Sequence, residues 1–176
     1  MLKIARAIMA EKNMIKNTRN LKKVRYLFVI PFLLFSFTSA NAEGVALGIG
    51  VSGVNADGTS FTSGALSVSG KLNSNFGWSA ELSGGGSDEG VDLDVAAAMK
   101  LRVGKDLGNT FIYGTVGYAH YQFSGGGLTI DGGGTVVGVG VDFFSESNWG
   151  LGLEYNRGFG DLEEGNLVNA LLKYRF

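Results

Sequence analysis

From Val91 to Val103 the sequence VDLDVAAAMKLRV sets Val91, Leu93, Val95, Ala97, Met99, Leu101 and Val103 at alternate positions. Asp92, Asp94, Ala96, Ala98, Lys100 and Arg102 fall between them. Successive side chains of an extended chain point to opposite faces, so this period of two predicts a strand whose faces meet different media. The pattern recurs along the chain and predicts eight strands, near Val45–Ser52, Ser60–Leu72, Phe76–Ser83, Val91–Gly104, Thr110–Gln122, Thr135–Phe144, Trp149–Arg157 and Asn166–Phe176. Turn-rich pieces such as NADGT, NSN, GGGSDEG, DLGN, SGGG, SESN and GDLEEG separate them. No helical period interrupts the series after residue 42. An even number of strands of roughly ten residues predicts an all-β fold, an eight-stranded antiparallel up-and-down barrel.

Which face is wet decides between a soluble barrel and a membrane-spanning one. The polar faces carry Ala46, Gly48 and Gly50; Ser67, Ser69 and Lys71; Gly77, Ser79 and Glu81; and Gly150, Gly152 and Glu154. Small residues alternating with a few long charged ones suit a narrow lumen and make a poor solvent-facing surface. The apolar faces then point to lipid, giving a transmembrane barrel. The inward charges balance: Glu81, Asp92, Asp94, Asp142 and Glu154 face Lys71, Lys100, Arg102, Lys173 and Arg175. Ions removed from bulk water must be paired, so these residues are expected to form an interior charge network. In the fifth strand, TFIYGTVGYAHYQ, both parities offer apolar faces, and its facing stays open.

The last strand, NLVNALLKYRF, puts Val168, Ala170, Leu172, Tyr174 and Phe176 on one face and Asn169, Lys173 and Arg175 on the other. If the barrel starts on the periplasmic side, Phe76, Phe111, Trp149, Phe143, Tyr174 and Phe176 gather at one membrane edge. Phe61, Tyr118, Tyr121, Phe123, Tyr155 and Phe159 gather at the other, so two aromatic girdles are expected.

The first 42 residues obey a different rule. Eight basic residues and one acid, Glu11, precede Tyr26, and Tyr26 to Ala42 carries no charge. The apolar run LFVIPFLLF is followed by SANA, whose Ala40 and Ala42 have the spacing a signal peptidase reads, so residues 1–42 are expected to be a signal peptide cleaved after Ala42. The uncharged run is shorter than the roughly 20 residues that cross a bilayer as a helix, and it contains Pro31. Met14 would start a leader of more ordinary length.

Residues 43–176 are then the barrel domain. Of 15 basic and 16 acidic residues, eight and one lie in the leader, leaving seven against fifteen, a formal charge of −8. So acidic a domain is not a nucleic-acid binder. The chain has no cysteine, so the exported domain holds together without disulfides. All 29 glycines lie in the barrel domain.

Sites for chemistry are few. His120 is the single histidine; with no cysteine and no second histidine a metal centre lacks its ligands, and His120 reads as a girdle or rim residue near the outer end of the fifth strand rather than as the partner of a catalytic serine or carboxylate. Gly48, Gly50 and Gly53 match the spacing of a dinucleotide fingerprint, but a turn and another strand follow where that motif needs a helix. Asp57, Asp88, Glu89, Asp131, Asp161, Glu163 and Glu164 gather in the outer turns. They read as a solvated rim, with divalent cations bridging them to lipopolysaccharide phosphates as the alternative.

YGTVGYAHY, GVGVDFFSESNWGLGLEYNRGF and the terminal LLKYRF resemble the second half of the small outer-membrane β-barrels of Gram-negative bacteria, the OmpA-transmembrane, OmpX/Ail and opacity-type proteins. The leader and all eight strands fit that superfamily. The resemblance implies a monomeric, non-enzymatic protein of the outer membrane, in contact with its lipid and lipopolysaccharide, with a structural or surface-interaction role. It also implies that Val168, Ala170, Leu172, Tyr174 and Phe176 form the assembly signal read by the barrel-assembly machinery. The surface turns are shorter than those of adhesive members. A porin-like narrow channel and a lipid-modifying enzyme are the alternatives. The enzyme is disfavoured because the lipid A deacylase type of barrel resembles His-x-Ser, where this chain has Gln122 two residues after His120.

Overall fold

The computed structural model describes residues 44–56, 59–88, 90–160 and 165–176. The expected leader and its cleavage point lie outside the described residues, as do Asp57, Glu89, Asp161, Glu163 and Glu164. The strands are β1 Ala46–Ala56, β2 Thr59–Lys71, β3 Phe76–Gly84, β4 Gly86–Asp88, β5 Val91–Asp106, β6 Thr110–Gly125, β7 Leu128–Phe144, β8 Trp149–Gly158 and β9 Asn166–Arg175. Every pairing is antiparallel. β1 pairs with both β2 and β9, and β3 pairs with both β2 and β5, so the sheet closes on itself. Gly85, at φ +82°, interrupts one barrel stave and divides it into β3 and β4, so the closed barrel has eight staves. Closure matters because a sheet edge in lipid would leave its backbone N–H and C=O groups without partners.

Short turns set the register at the near end, where Ala46 pairs with Arg175. Asn73 Oδ1 accepts the backbone N–H groups of Asn75 (2.8 Å) and Phe76 (2.9 Å), closing the β2–β3 connection. Asp106 Oδ1 accepts the N–H of Gly108 in the β5–β6 turn. At the far end Gly126 and Gly127, with φ of +57° and +80°, form a two-residue turn of the kind that matches strand twist. β6 and β7 therefore pair without a break from Thr110↔Phe143 to Gly125↔Leu128. Both strands run past the expected ends at Gln122 and Thr135, because the turn proper is only Gly126 and Gly127 and the alternation of Leu128 and Ile130 with Thr129 and Asp131 continues the strand.

The expected phase of β5 also changes. Leu93 pairs with Phe123 but Val95 pairs with Gln122, so Asp94 is an extra residue in a bulge. Beyond it the faces exchange. Leu93 turns into the lumen at 1% exposure, while Asp92 and Asp94 stand on the outside, Asp94 accepting a hydrogen bond from Ser124 Oγ at 2.8 Å. The interruption at Gly85 faces this bulge, since a side chain on Gly84 would meet the carbonyl of Asp94. Both neighbouring staves thus change phase at one level. Asp92 and Asp94 are corrected from lumen to exterior, and Leu93 from lipid face to lumen.

Below that level the outer face is an apolar belt. Leu47, Ile49, Val51, Leu66, Met99, Leu101, Val103, Ile112, Val116, Val137, Val139, Leu151, Leu153, Val168 and Leu172 are all exposed large hydrophobic side chains. A continuous belt around a closed barrel is the surface that lipid covers. Phe76, Phe143, Trp149 and Phe176 stand exposed at its near edge, and Tyr118, Tyr155 and Phe159 towards the far edge. Four expected girdle members are elsewhere: Phe61 and Phe111 are buried, Phe123 packs against Phe61 with ring centroids 5.3 Å apart, and Tyr121 packs against Phe123 at 5.1 Å. β6 resolves its facing accordingly, with Phe111, Tyr113, Thr115 and Ala119 inward and Ile112, Val116 and Tyr118 outward.

Leu101, on the outer face midway along β5, should be the sensitive position for insertion. Leu101→Arg is expected to lower stability in lipid vesicles by about 2–4 kcal/mol, as for arginine near a bilayer midplane. Asp94→Asn, outside the belt, should change it by less than about 0.5 kcal/mol. Urea unfolding from vesicles measures both, and equal effects would overturn this assignment of faces.

Candidate functional site

Six charged side chains converge in the near half of the lumen. Lys100 Nζ lies 2.7 Å from Glu81 Oε2 and also pairs with Glu154. Arg102 Nη1 donates to Asp142 Oδ2 at 2.8 Å, and Arg102 Nη2 reaches Tyr113 Oη and, at 3.5 Å, Glu154 Oε2. Lys173 Nζ donates to Asp142 Oδ1 at 2.6 Å. Three cations and three anions from five strands thus form one neutral cluster. Five of the six residues are nearly sealed from solvent, where an unpaired ion would cost several kcal/mol.

Neutral polar groups complete the cluster. Tyr113 Oη stands 3.3 Å from Asp142 Oδ1 and 3.2 Å from Glu154 Oε2, and the Arg102 guanidinium carbon lies 3.9 Å from the centre of the Tyr113 ring. Asn156 Nδ2 donates to Glu154 Oε1 at 2.7 Å and its Oδ1 accepts from Thr115 Oγ1 at 2.8 Å. Asn169 Nδ2 donates to Glu81 Oε2 at 2.7 Å. Asn169 lies on the polar face expected for the last strand, whereas Thr115, Asn156 and Tyr113 were not among the residues expected inside. Asn156 and Asn169 were legible, since each shares strand parity with an inward charge, Glu154 and Lys173. Tyr113 was hidden by the double apolar character of β6.

Of the remaining residues expected inside, Lys71 pairs with Asp106, an acid the sequence reading did not select. Its Nζ lies 5.5 Å from the Phe111 ring centre. The Arg175 guanidinium lies 4.8 Å from the centre of Phe144, at the near mouth. Asp92 and Asp94 take no part, for the bulge turns them out. Val168, Leu172 and Phe176 are exposed on the outer face of β9, with Ala170 and Tyr174 partly covered. His120 is exposed and pairs in register with Gly133 on the outer face.

The glycines explain how long side chains fit in so narrow a barrel. In register, Lys100 is opposite Gly117, Arg102 opposite Gly77, Asp142 opposite Gly152, Glu154 opposite Gly140, and Lys173 between Gly48 and Gly150. The space is used by the cluster. A Cβ on Gly152 would come within 2.6 Å of Lys173 Cε and 2.8 Å of Asp142 Oδ1, and one on Gly140 within 2.6 Å of the Tyr113 ring.

The far half of the lumen has the opposite chemistry. Val54, Phe61 and Leu93 form a buried cluster, joined by Val91, Ala96, Tyr121, Phe123 and Leu167. Ala119 and Val136 extend it towards the charges. An ionic layer and an apolar layer are thus stacked along the axis. Among the described residues no group of histidines, cysteines and acids is arranged to hold a metal ion.

The Arg102–Asp142 pair should be strongly coupled. Arg102→Met or Asp142→Asn alone is expected to cost about 3–5 kcal/mol by leaving a buried ion without its partner. The double variant should cost clearly less than the sum, as a double-mutant cycle in vesicles would read, and additivity would dissolve the pair as an energetic unit. Gly152→Val, which intrudes on the adjoining Lys173–Asp142 pair, should also destabilise, by about 1–3 kcal/mol.

Comparison with known proteins agrees with this architecture. No curated protein matches the chain. Among solved structures, Neisserial surface protein A (NspA) is similar at a TM-score of 0.53 and 14% identity, over 76% of this chain and 96% of that one. Ail, the attachment invasion locus protein of Yersinia pestis, is similar at a TM-score of 0.46 and 20% identity, over 76% of this chain and 97% of that one. The family profile of the outer membrane protein beta-barrel domain matches residues 28–176. The closed barrel with its lipid-facing belt fits that match, and the chain belongs to the outer membrane protein beta-barrel domain family.

Proposed function

We propose that the protein is exported by a leader cleaved after Ala42 and assembled as a monomeric, non-enzymatic barrel whose role is structural and surface-interacting. The near end then faces the periplasm and the far end the cell exterior. The observation that carries this reading is the lumen: it is filled by paired charges below and apolar side chains above, leaving the outer surface as the functional one. The apolar belt contacts outer-membrane lipid and lipopolysaccharide. Asp88, Asp92, Asp94 and Asp131 give the far rim a negative character, suited to staying solvated. A filled lumen also argues against a porin. His120, exposed on the outer face, has no inward catalytic geometry, which argues against an envelope enzyme.

Fractionation tests the placement. The mature chain should accumulate in the outer membrane, migrate faster on a gel before heating than after, and show no conductance in planar bilayers. A deletion strain should keep an unaltered lipid A mass spectrum.

The outward face of β9 carries a second part of the proposal, that Val168, Ala170, Leu172, Tyr174 and Phe176 are read by the barrel-assembly machinery. Phe176 is 71% exposed, so removing it sacrifices less than the roughly 1.5–3 kcal/mol of a fully buried side chain. The shortened chain should refold into detergent or lipid with normal yield, yet reach the outer membrane of cells poorly. Normal delivery would reduce Phe176 to a lipid-facing side chain.

A further inference from the structure

Of the seven basic residues after position 42, Lys100, Arg102 and Lys173 belong to the ionic cluster, and Lys71 and Arg175 lie near the near mouth. Only two stand on the outer face: Lys105 at the near end of β5 and Arg157 in the far half of β8. Arg157 makes no ion pair among the described residues. The exposed rings of Tyr155 and Phe159 flank it at the level of the far girdle. A long cationic side chain is tolerated on the lipid face there, because its head reaches the headgroup region while its stem stays among apolar groups.

A second donor stands beside it. Asn166 of β9 is the register partner of Arg157 on the same face, so the two are direct cross-strand neighbours. Tyr155 Oη donates to Asn166 Oδ1 at 2.7 Å. That bond orients the amide and leaves its Nδ2, which has no acceptor among the described residues, as the free end. A guanidinium fork and an amide N–H thus lie side by side between two rings. The outward acids are elsewhere: Asp92 and Asp94 on β5, three strands away, and Asp131 where β7 runs beyond its pairing with β8.

We propose that Arg157 and Asn166 form a phosphate site on the lipid-facing surface, that its ligand is a phosphate monoester of a lipopolysaccharide headgroup, and that Tyr155 positions Asn166. This deepens the lipid contact proposed above and rests on that reading, in which the far end faces the leaflet that carries lipopolysaccharide. The planar fork of arginine matches two phosphate oxygens at once, and a monoester carries more charge than the diester of an ordinary phospholipid. Asp161, Glu163 and Glu164, which follow in the sequence and lie outside the described residues, are the rival partners of Arg157.

Native mass spectrometry of the full mature barrel, folded in detergent with heat-modifiable migration as the folding control, reads the site. The probes are bisphosphorylated lipid A, the same lipid stripped of its phosphates, and phosphatidylglycerol. The parent should hold bisphosphorylated lipid A about tenfold more tightly than Arg157→Gln does, the loss of one charge-assisted contact. Asn166→Ala and Tyr155→Phe should each weaken it by a smaller factor, and Lys105→Gln should leave it unchanged. Stripped lipid A should bind the parent and Arg157→Gln alike. Equal retention of bisphosphorylated lipid A by those two would overturn the site, and equal retention of phosphatidylglycerol by the parent would overturn the monoester as its ligand. In lipid-free detergent Arg157→Gln should unfold at the same urea concentration as the parent, whereas destabilisation there would assign Arg157 to the loop acids. Because these measurements use the purified chain, a barrel that binds lipid A yet fails to fractionate with the outer membrane would sink the localisation and not the site.

Discussion

A charged side chain inside an eight-stranded barrel must be given room by the strand beside it, and the rest of the lumen follows from how that room is made. Lys100, Arg102, Asp142, Glu154 and Lys173 each have a glycine as register partner. Without those glycines the long side chains would meet backbone or Cβ atoms before meeting one another. With them, six charges from five strands close into a neutral cluster that ties β3, β5, β7, β8 and β9 across the lumen. Glycine weakens a strand by its conformational entropy, and the cross-lumen ion pairs offset that cost only because closure keeps every partner in place.

The same economy of space appears where rings cover glycines. Trp78 lies over Gly70, Tyr113 over Gly140, Tyr121 over Gly132 and Phe144 over Gly150, each pair directly opposed across two strands. A ring over a bare backbone shields the inter-strand hydrogen bonds and restores contact area that the glycine lacks. Trp78 does this on the lipid side and the other three within the lumen.

How much of this was legible depended on whether neighbouring residues carried phase. β8 and β9 alternate cleanly, Trp149-Gly150-Leu151-Gly152-Leu153-Glu154 and Val168 through Phe176, and their faces follow directly from sequence. β5 does not, because Ala96, Ala97 and Ala98 are equally at home on either face. The apolar alternation on the two sides of this run looks continuous although the bulge at Asp94 reverses it. The aromatic residues misled for a related reason. Phe61 and Phe111 sit at strand ends, where a girdle is expected, but their parity is that of Ser63 and Tyr113, which face inward. The charge cluster was readable as composition and parity; its actual partners, Asn156, Asn169 and Tyr113, depend on distances across the lumen that no local pattern encodes.

The bulge at Asp94 also acts as a waterline. On the outer face of β5, Val103, Leu101 and Met99 belong to the lipid, while Asp94 and Asp92 follow on the exterior within a few residues. Carboxylates on the lipid-facing side resist being drawn into hydrocarbon, so the barrel has a fixed draught: it cannot settle deeper into the bilayer without submerging them. Because the same bulge sends Leu93 inward, the depth at which the hull leaves the lipid coincides with the depth at which the hold becomes apolar. One extra residue in one strand sets both levels together.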